Sequence, residues 1–417
     1  MHLGRFLCVA ALAALLATAV FARPEDGKVR YDDHAAVRVY PTSLEQARDI
    51  SQLGVLMSEA ESLRYTDYVL PPAALAKLDA MDVRYEVLHP NVQELIDAEA
   101  ERIASAPPPR TRIAWFEEYK TNDEINAFLD GLIASYPNLI EKEQIGSSVE
   151  SQPIYGYTIS GPTGDPDAKP GLAFNGMLHS REWISPMTMA YIINDLLTNY
   201  GSDPDVTTLM DNMTFYIVVV SNPDGYEYSW DADRYWRKNR RNNGGGYWGV
   251  DLNRNWDINF GGQGASSFPG DDTYHGPSAF SEPETQAVRD FFTEHPNVAA
   301  HIDFHSYSQL ILRPWGYDYI DPPEPDNTIM TTLGDSMRDA ILASGGVYYV
   351  SQPSYDLYPA SGGCSDWFYS WGAYSWTFEL RPDSAFPGFE LPADEIIPTG
   401  EEIVAAVRTL GFGLLQG

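Results

Sequence analysis

The chain has 417 residues, 44% of them hydrophobic, and a formal net charge of -32 from 59 acidic against 27 basic side chains. That length accommodates one large domain and one small one. The acidity excludes nucleic acid and anionic membranes as partners, because the summed field repels both.

Residues 1–22 read as a secretory signal. Arg5 supplies the positive start, Phe6–Val20 is an apolar run too short to span a bilayer, and the small-residue cleavage pattern closes on Ala22. No later run is apolar and long enough for a membrane helix, so a secreted, soluble monomer is expected. Cleavage removes Cys8 and leaves Cys364 alone, which excludes an intramolecular disulfide.

Residues 23–105 form a small patterned unit. Ala36–Pro41 alternates as a strand, and Ser43–Leu53 opens on a serine cap with helical spacing. Ser62–Leu70 reads as a strand, Pro71–Asp82 as a helix, Val83–His89 as a strand, and Asn91–Ala104 as an acidic amphipathic helix. The order βαβαβ plus a helix predicts a compact α+β domain. Residues 106–113 follow as a linker, in which three prolines end the helix and Arg110 and Arg112 offer a site to a trypsin-like protease.

From residue 114 to 417 the pattern becomes α/β. Strands are expected at Leu139–Gly146, Ile154–Ser160, Gly171–Leu178, Met213–Ser221, Val298–Ser306, Gly345–Val350 and Ala373–Leu380. Helices are expected at Thr121–Ser135, Pro186–Tyr200, Glu282–His295 and Asn327–Ser344. Alternating strands and helices with wholly apolar strands predict an α/β sheet buried on both faces. The long irregular stretch Asn222–Phe280 reads as functional loops.

Several clusters carry chemistry. His179 and Glu182 follow a strand, and a strand turning into a helix brings i and i+3 to one side as a nitrogen–oxygen pair suited to zinc, although such a pair taken alone is more often a solvated turn. A catalytic zinc needs a third protein ligand and an open place for water. His305 stands where a buried strand gives out and can supply that ligand, although taken singly it reads better as a satisfied strand-end histidine. Asp231–Asn242 is the densest basic run, either a solvated loop or an anion site. Asn253 and Arg254 are adjacent donors that could hold one carboxylate or simply form a surface turn. Tyr358 precedes a glycine pair, and Glu379 ends an apolar strand, where it is either paired with arginine or acts as a base.

Together the blocks GMLHSREWISP, NPDGYEYS, YWRKNRR, GVDLNRNWD, FHSYSQL, LYPASGGCSDW and WTFELR resemble the zinc metallocarboxypeptidases of the pancreatic A/B type, in order and spacing. The resemblance implies a mixed, mostly parallel, twisted sheet sandwiched by helices, and the front unit resembles that family's activation prodomain, which implies a small ferredoxin-like α+β fold. The resemblance implies one zinc per chain held by His179, Glu182 and His305. It implies Glu379 as general base and Arg237 as the group that polarises the scissile carbonyl. Asn253, Arg254 and Tyr358 would hold the substrate's terminal carboxylate, with Arg181, Ser306 and Tyr307 touching the peptide upstream. The partners implied are peptide and protein C-termini and an activating protease at Arg110 or Arg112. The front domain is expected to cover the cleft until that cleavage, and the Arg381–Pro382 bond is expected to be cis.

In the family, the residue two before the tryptophan of the Asp-Trp pair sets side-chain preference, and Ser365 holds that place. With Leu312, Gly316, Leu357 and Ala360 nearby, apolar or aromatic C-terminal residues are expected. Asp303, two before His305, would select Lys or Arg instead if it reached the pocket floor. Cys364 reads as a small pocket-lining thiol. Two other readings compete: a zinc deacylase of small amino acids, and a peptide-binding module with a dead centre. The Asn253–Arg254 pair argues against the first and intact Glu379 against the second.

Overall fold

The computed structural model describes residues 27–58 and 62–416, so the signal assignment at residues 1–22 lies outside the described residues. The front unit runs β1 (Ala35–Tyr40), α1 (Leu44–Ser51), β2 (Val55–Leu56), β3 (Thr66–Leu70), α2 (Pro72–Ala80), β4 (Arg84–His89) and α3 (Gln93–Ser105). Its strands pair antiparallel in the order β2-β3-β1-β4. The resulting βαββαβ unit has one strand more than the sequence pattern suggested, because two residues are too few to show a period of two. Alternation along β1 buries Ala35, Val37 and Val39 against Ile50, Leu70 and Leu78. Its other face sends Ala36, with Met57 and Val69, against Tyr235, Tyr307 and Phe389 of the main domain. After α3 the chain is exposed and irregular over residues 106–112.

The main domain comprises α4 (Asn122–Ser135), β5 (Ile140–Ser147), β6 (Pro153–Ser160), β7 (Gly171–Gly176), α5 (Ile184–Asn199), α6 (Pro204–Asn212), β8 (Thr214–Val218) and α7 (Pro223–Asp231). A short hairpin follows, β9 (Asn242–Gly244) and β10 (Tyr247–Trp248), then α8 (Pro283–Thr293), β11 (Val298–Ser306), β12 (Leu310–Arg313) and α9 (Asp326–Ala343). The chain ends through β13 (Val350–Pro353), α10 (Cys364–Trp371), β14 (Tyr374–Leu380) and α11 (Ile396–Gln416).

Eight strands form one mixed sheet in the order β13-β12-β14-β11-β7-β8-β6-β5. The central neighbours β14, β11, β7 and β8 are parallel, while β5, β6 and β12 bring antiparallel pairings. Strand alternation divides the core into two layers. Phe215 and Ile217 of β8 and Ala300, Ile302 and Phe304 of β11 face the layer with α5, α9 and α11. Tyr216 and Val218 face the layer with α8 and α10, where Val288, Phe291, Phe292 and Phe368 pack. Because β7, β11 and β14 run parallel, their C-terminal ends share one edge, which is where open α/β sheets place ligands.

Several expectations are corrected. Residues 345–349 are irregular, and the edge strand begins only at Val350. The stretch 222–280 contains α7 and the β9–β10 hairpin as well as loops. α6, α7, α10 and α11 were not foreseen. Pro398 and three glycines obscure the helical signal of α11, although its Ile403, Val407 and Leu410 are buried. The Arg381–Pro382 bond is cis, as expected.

Candidate active site

His179 and Glu182 sit in the crossover between β7 and α5. β7 ends at Gly176, where a Cβ would meet Ser185 Oγ at 2.4 Å and Met189 Sδ at 2.5 Å, so only glycine lets α5 approach. Ser185 Oγ donates to Phe304 O at 2.7 Å and accepts from Met177 N at 3.2 Å, fixing this turn against β11. Glu182 N then donates to His179 O at 3.3 Å, and that turn brings the two side chains together.

The third group arrives from the end of β11. His179 Nδ1 lies 2.9 Å from Glu182 Oε1, His305 Nδ1 lies 3.0 Å from Glu182 Oε2, and the two Nδ1 atoms are 3.0 Å apart. All three residues are buried. The outer ring nitrogens are engaged elsewhere: His179 Nε2 donates to Asp251 Oδ1 at 3.0 Å, and His305 Nε2 donates to Asp303 Oδ2 at 2.8 Å. An ionised carboxylate only accepts, so in the neutral rings the hydrogens sit on Nε2 and the Nδ1 lone pairs face inward. Two imidazole nitrogens and a carboxylate converging this closely call for a positive charge among them, which an added proton or a bound cation supplies. The site therefore fits zinc in both donor type and arrangement, with each histidine backed by a carboxylate.

Asp251 organises more than the metal ligand. Its Oδ2 accepts from Arg237 Nη2 at 2.9 Å and Nε at 3.2 Å, and its Oδ1 accepts from Asn253 N at 2.9 Å. Burial pushes its carboxyl upward, but Arg237, Arg254 and His179 outweigh burial and hold it well below the usual range. Arg237, Asn253 and His179 are thus fixed by one buried anion. Glu379 lies beside them on β14, where it is the register partner of His305.

Next to Glu379 a pocket is lined by Asn253, Arg254, Leu312, Gly316, Leu357, Tyr358, Ala360, Ser365 and Thr377. Arg254 is buried, with Nε on Gly264 O at 2.9 Å and Nη1 on Asn253 O at 2.8 Å. Ser365 and Thr377 hydroxyls meet at 2.5 Å. The pocket's remaining carboxylate, Asp366, accepts from Gly316 N at 2.8 Å and Tyr317 N at 3.1 Å, and burial pushes its pKa up to about 7. Asp303 does not line the pocket. Both its oxygens are engaged, one by His305 and the other by Asn175 Nδ2 at 2.6 Å. The suggestion that Asp303 floors the pocket and selects basic residues is therefore overturned. Cys364 is buried, which pushes its thiol well up and makes it a poor nucleophile.

Arg181 is wholly buried, with Nη1 donating to Leu56 O of the front unit at 2.8 Å and its guanidinium 4.5 Å from the Phe389 ring centre. Among the described residues its Nε and Nη2 have no hydrogen-bond partner. Ser306 N donates to Glu182 Oε2 at 3.2 Å, and Tyr307 packs edge-on against Phe389. Ser306, Tyr307, Tyr358 and Glu379 line a cavity of about 230 Å3 whose opposite wall is Arg38, Tyr65 and Asp67 of the front unit. Farther along the interface Glu99 of α3 pairs with buried Arg234, Nε to Oε2 at 2.6 Å.

The sequence alone assigns no role to Asp251, Asp366 or Glu99. For Asp251 a signal existed: an acid two residues before the Asn-Arg pair in a loop already suspected of function. Nothing local marks Asp366 or Glu99, whose partners are distant in the chain.

Fold and site together define a metallopeptidase-like centre at the edge of an α/β sheet, and comparison with known proteins narrows the class. The family model described as zinc carboxypeptidase matches residues 125–406. Carboxypeptidase A2 of Rattus norvegicus is 39% identical over 337 residues, spanning 80% of this chain and 79% of that protein. Zinc carboxypeptidase A 1 of Anopheles gambiae is 36% identical over 401 residues, spanning 91% and 89%. Among solved structures, thrombin activatable fibrinolysis inhibitor superposes with a TM-score of 0.83 at 30% identity, covering 93% of this chain and all of that one. Carboxypeptidase A from Helicoverpa armigera gives the same TM-score and identity over 93% and 98%. The chain belongs to the zinc carboxypeptidase family and is a carboxypeptidase A-like zinc exopeptidase. Among the described residues no helix is long and apolar enough to cross a membrane.

Proposed function

We propose that the protein is a secreted proenzyme whose mature form removes single apolar or aromatic residues from peptide C-termini. The observation that carries the reading is the convergence of His179, Glu182 and His305 beside Glu379, next to a pocket walled by Asn253 and Arg254. In the proposed roles those three residues hold the zinc, which when bound acts as a Lewis acid and lowers the pKa of water toward neutrality. Glu379 takes the proton of the attacking water and returns it to the leaving amine. Arg237, held by Asp251, faces the oxygen on which charge grows. Asn253, Arg254 and Tyr358 bind the terminal carboxylate, so that only the last peptide bond is correctly placed. Arg181, Ser306 and Tyr307 contact the peptide upstream, and the open guanidinium hydrogens of Arg181 suit that part.

The apolar preference rests on Leu312, Leu357, Ala360 and Gly316, and on the engagement of Asp366 and Asp303 with groups other than the pocket space. The proenzyme reading rests on the front unit's carbonyl at Arg181, its wall across the cavity at Glu379, and the exposed segment holding Arg110 and Arg112. Secretion rests on the pattern of residues 1–22. The test is hydrolysis of matched peptides ending in Phe and Lys by wild type and Glu379→Gln. Phe should be preferred, and Glu379→Gln should lower kcat by about 10²–10⁴-fold. A strong Lys preference would overturn the specificity, and an unimpaired Glu379→Gln the role of the base.

A further inference from the structure

Residues 301, 303 and 305 of β11 point to one face of the sheet, because strand side chains alternate. That face carries His301, Asp303 and His305, whereas the opposite face carries Ala300, Ile302 and Phe304. A file of buried polar groups inside an apolar layer is costly unless every member is bonded. Here each one is. Asn175 of β7 is the register partner of Asp303, and Ser375 of β14 that of His301. His301 Nδ1 is 2.9 Å from Ser375 Oγ, and its Nε2 is 2.6 Å from Asn175 Oδ1. Asn175 Nδ2 is 2.6 Å from Asp303 Oδ1, and Asp303 Oδ2 is 2.8 Å from His305 Nε2. All five side chains are buried.

The direction of each bond follows from the carboxylate. Asp303 accepts twice, so Asn175 must donate with its nitrogen and accept with its oxygen. His301 then donates from Nε2 and, as a neutral ring, accepts at Nδ1 from the Ser375 hydroxyl. Burial pushes the His301 pKa down to about 3, which keeps it neutral. Phe368 stacks on the His301 ring at 4.1 Å and holds its plane.

We propose that Ser375, His301, Asn175 and Asp303 form a one-way positioning chain that fixes the ring of His305 and thereby sets how tightly the protein holds zinc. Asp303 is the positioning residue that contacts His305, Asn175 aims the Asp303 carboxylate, and His301 locks the Asn175 amide against flipping. The proposal rests on His305 being a zinc ligand.

Zinc affinity, read by competition with a chromophoric chelator on the folded full chain, tests it. Wild type should bind one zinc, and His305→Ala should lose it; if His305→Ala binds like wild type, the ligand assignment itself is wrong. Asp303→Asn should weaken zinc binding about 10–100-fold, and Asn175→Leu should weaken it by a smaller factor. In the double variant Asn175→Leu should add nothing, because its effect passes through Asp303. The cobalt-substituted protein should show an altered visible spectrum in each single variant. Ser375→Ala, the mildest change, should weaken zinc binding detectably without lowering the melting temperature of the metal-free chain. Unchanged zinc affinity in a folded Asp303→Asn protein overturns the proposal, and so do additive effects of the Asp303 and Asn175 changes.

Discussion

Asp251 is the buried anion on which three parts of the site depend, and Asp251→Asn separates their contributions. The amide keeps one acceptor. Turned toward His179 Nε2 and Asn253 N, its oxygen preserves both of those bonds, which in the wild type are 3.0 and 2.9 Å long. Its nitrogen then falls where Oδ2 was, 2.9 Å from Arg237 Nη2, donor against donor. His179 keeps its acceptor but loses the charge behind it, so zinc binding should weaken about 10–100-fold, while Arg237 loses its charged partner. A misplaced oxyanion donor raises the barrier by about 3–4 kcal/mol, or roughly 10²–10³ in kcat. Breaking a buried ion pair also destabilises the fold by about 3–5 kcal/mol. The assay is kcat and KM on a Phe-terminated peptide at saturating zinc, alongside thermal unfolding. We expect kcat to fall about 10²–10³-fold with a smaller change in KM. A folded, zinc-loaded variant with kcat within about threefold of wild type would refute the reasoning.

Two further outcomes follow. If docking of the front unit is favoured by only about 1.4 kcal/mol, some nine in ten chains are covered, so the uncut chain should cleave peptides about tenfold or more slower than chain cut at Arg110 or Arg112; equal rates would dismiss the lid. Burial raises Glu284 to about pKa 7 from an ordinary value of 4.5, against the pull of Val149 N and Asn239. The folded state therefore binds more protons than the unfolded one between about pH 4.5 and 7, and this group's contribution to stability falls as pH rises through that window. Glu284→Gln mimics the protonated form. Relative to wild type it should gain on the order of 3 kcal/mol between pH 5 and pH 8, read from denaturant unfolding; a pH-independent difference would show that the carboxyl is not displaced.

Part of the site was legible because its residues fall at the ends of recognisable strands. Periodicity located β7, β11 and β14, whose C-terminal ends share one edge, and this put His179, Glu182, His305 and Glu379 among the candidates, but only the resemblance of the sequence blocks to a known family joined them into one site. Asn253, Arg254 and Tyr358 lie in loops without periodicity, and their blocks were informative only taken together. The alternative that placed Asp303 at the pocket floor stayed open because the sequence gives its neighbour along the strand but not the partner across it. Asn175, 128 positions away, is what engages the second oxygen. The missed β2 and β12 were too short for a pattern, and α11 was hidden by its proline and glycines. The contacts of Glu99 with Arg234 and of Leu56 with Arg181 join segments that are remote in the chain, so no local signal could reveal them.

The central claim is that one metal ion is held by His179 Nδ1, His305 Nδ1 and a Glu182 oxygen beside Glu379. Anomalous scattering at the zinc edge from a crystal of the zinc-loaded protein tests it directly. The account predicts a single strong peak about 2.0–2.2 Å from each of those three atoms. A fully loaded crystal with its zinc peak elsewhere, and none among these three side chains, would contradict it.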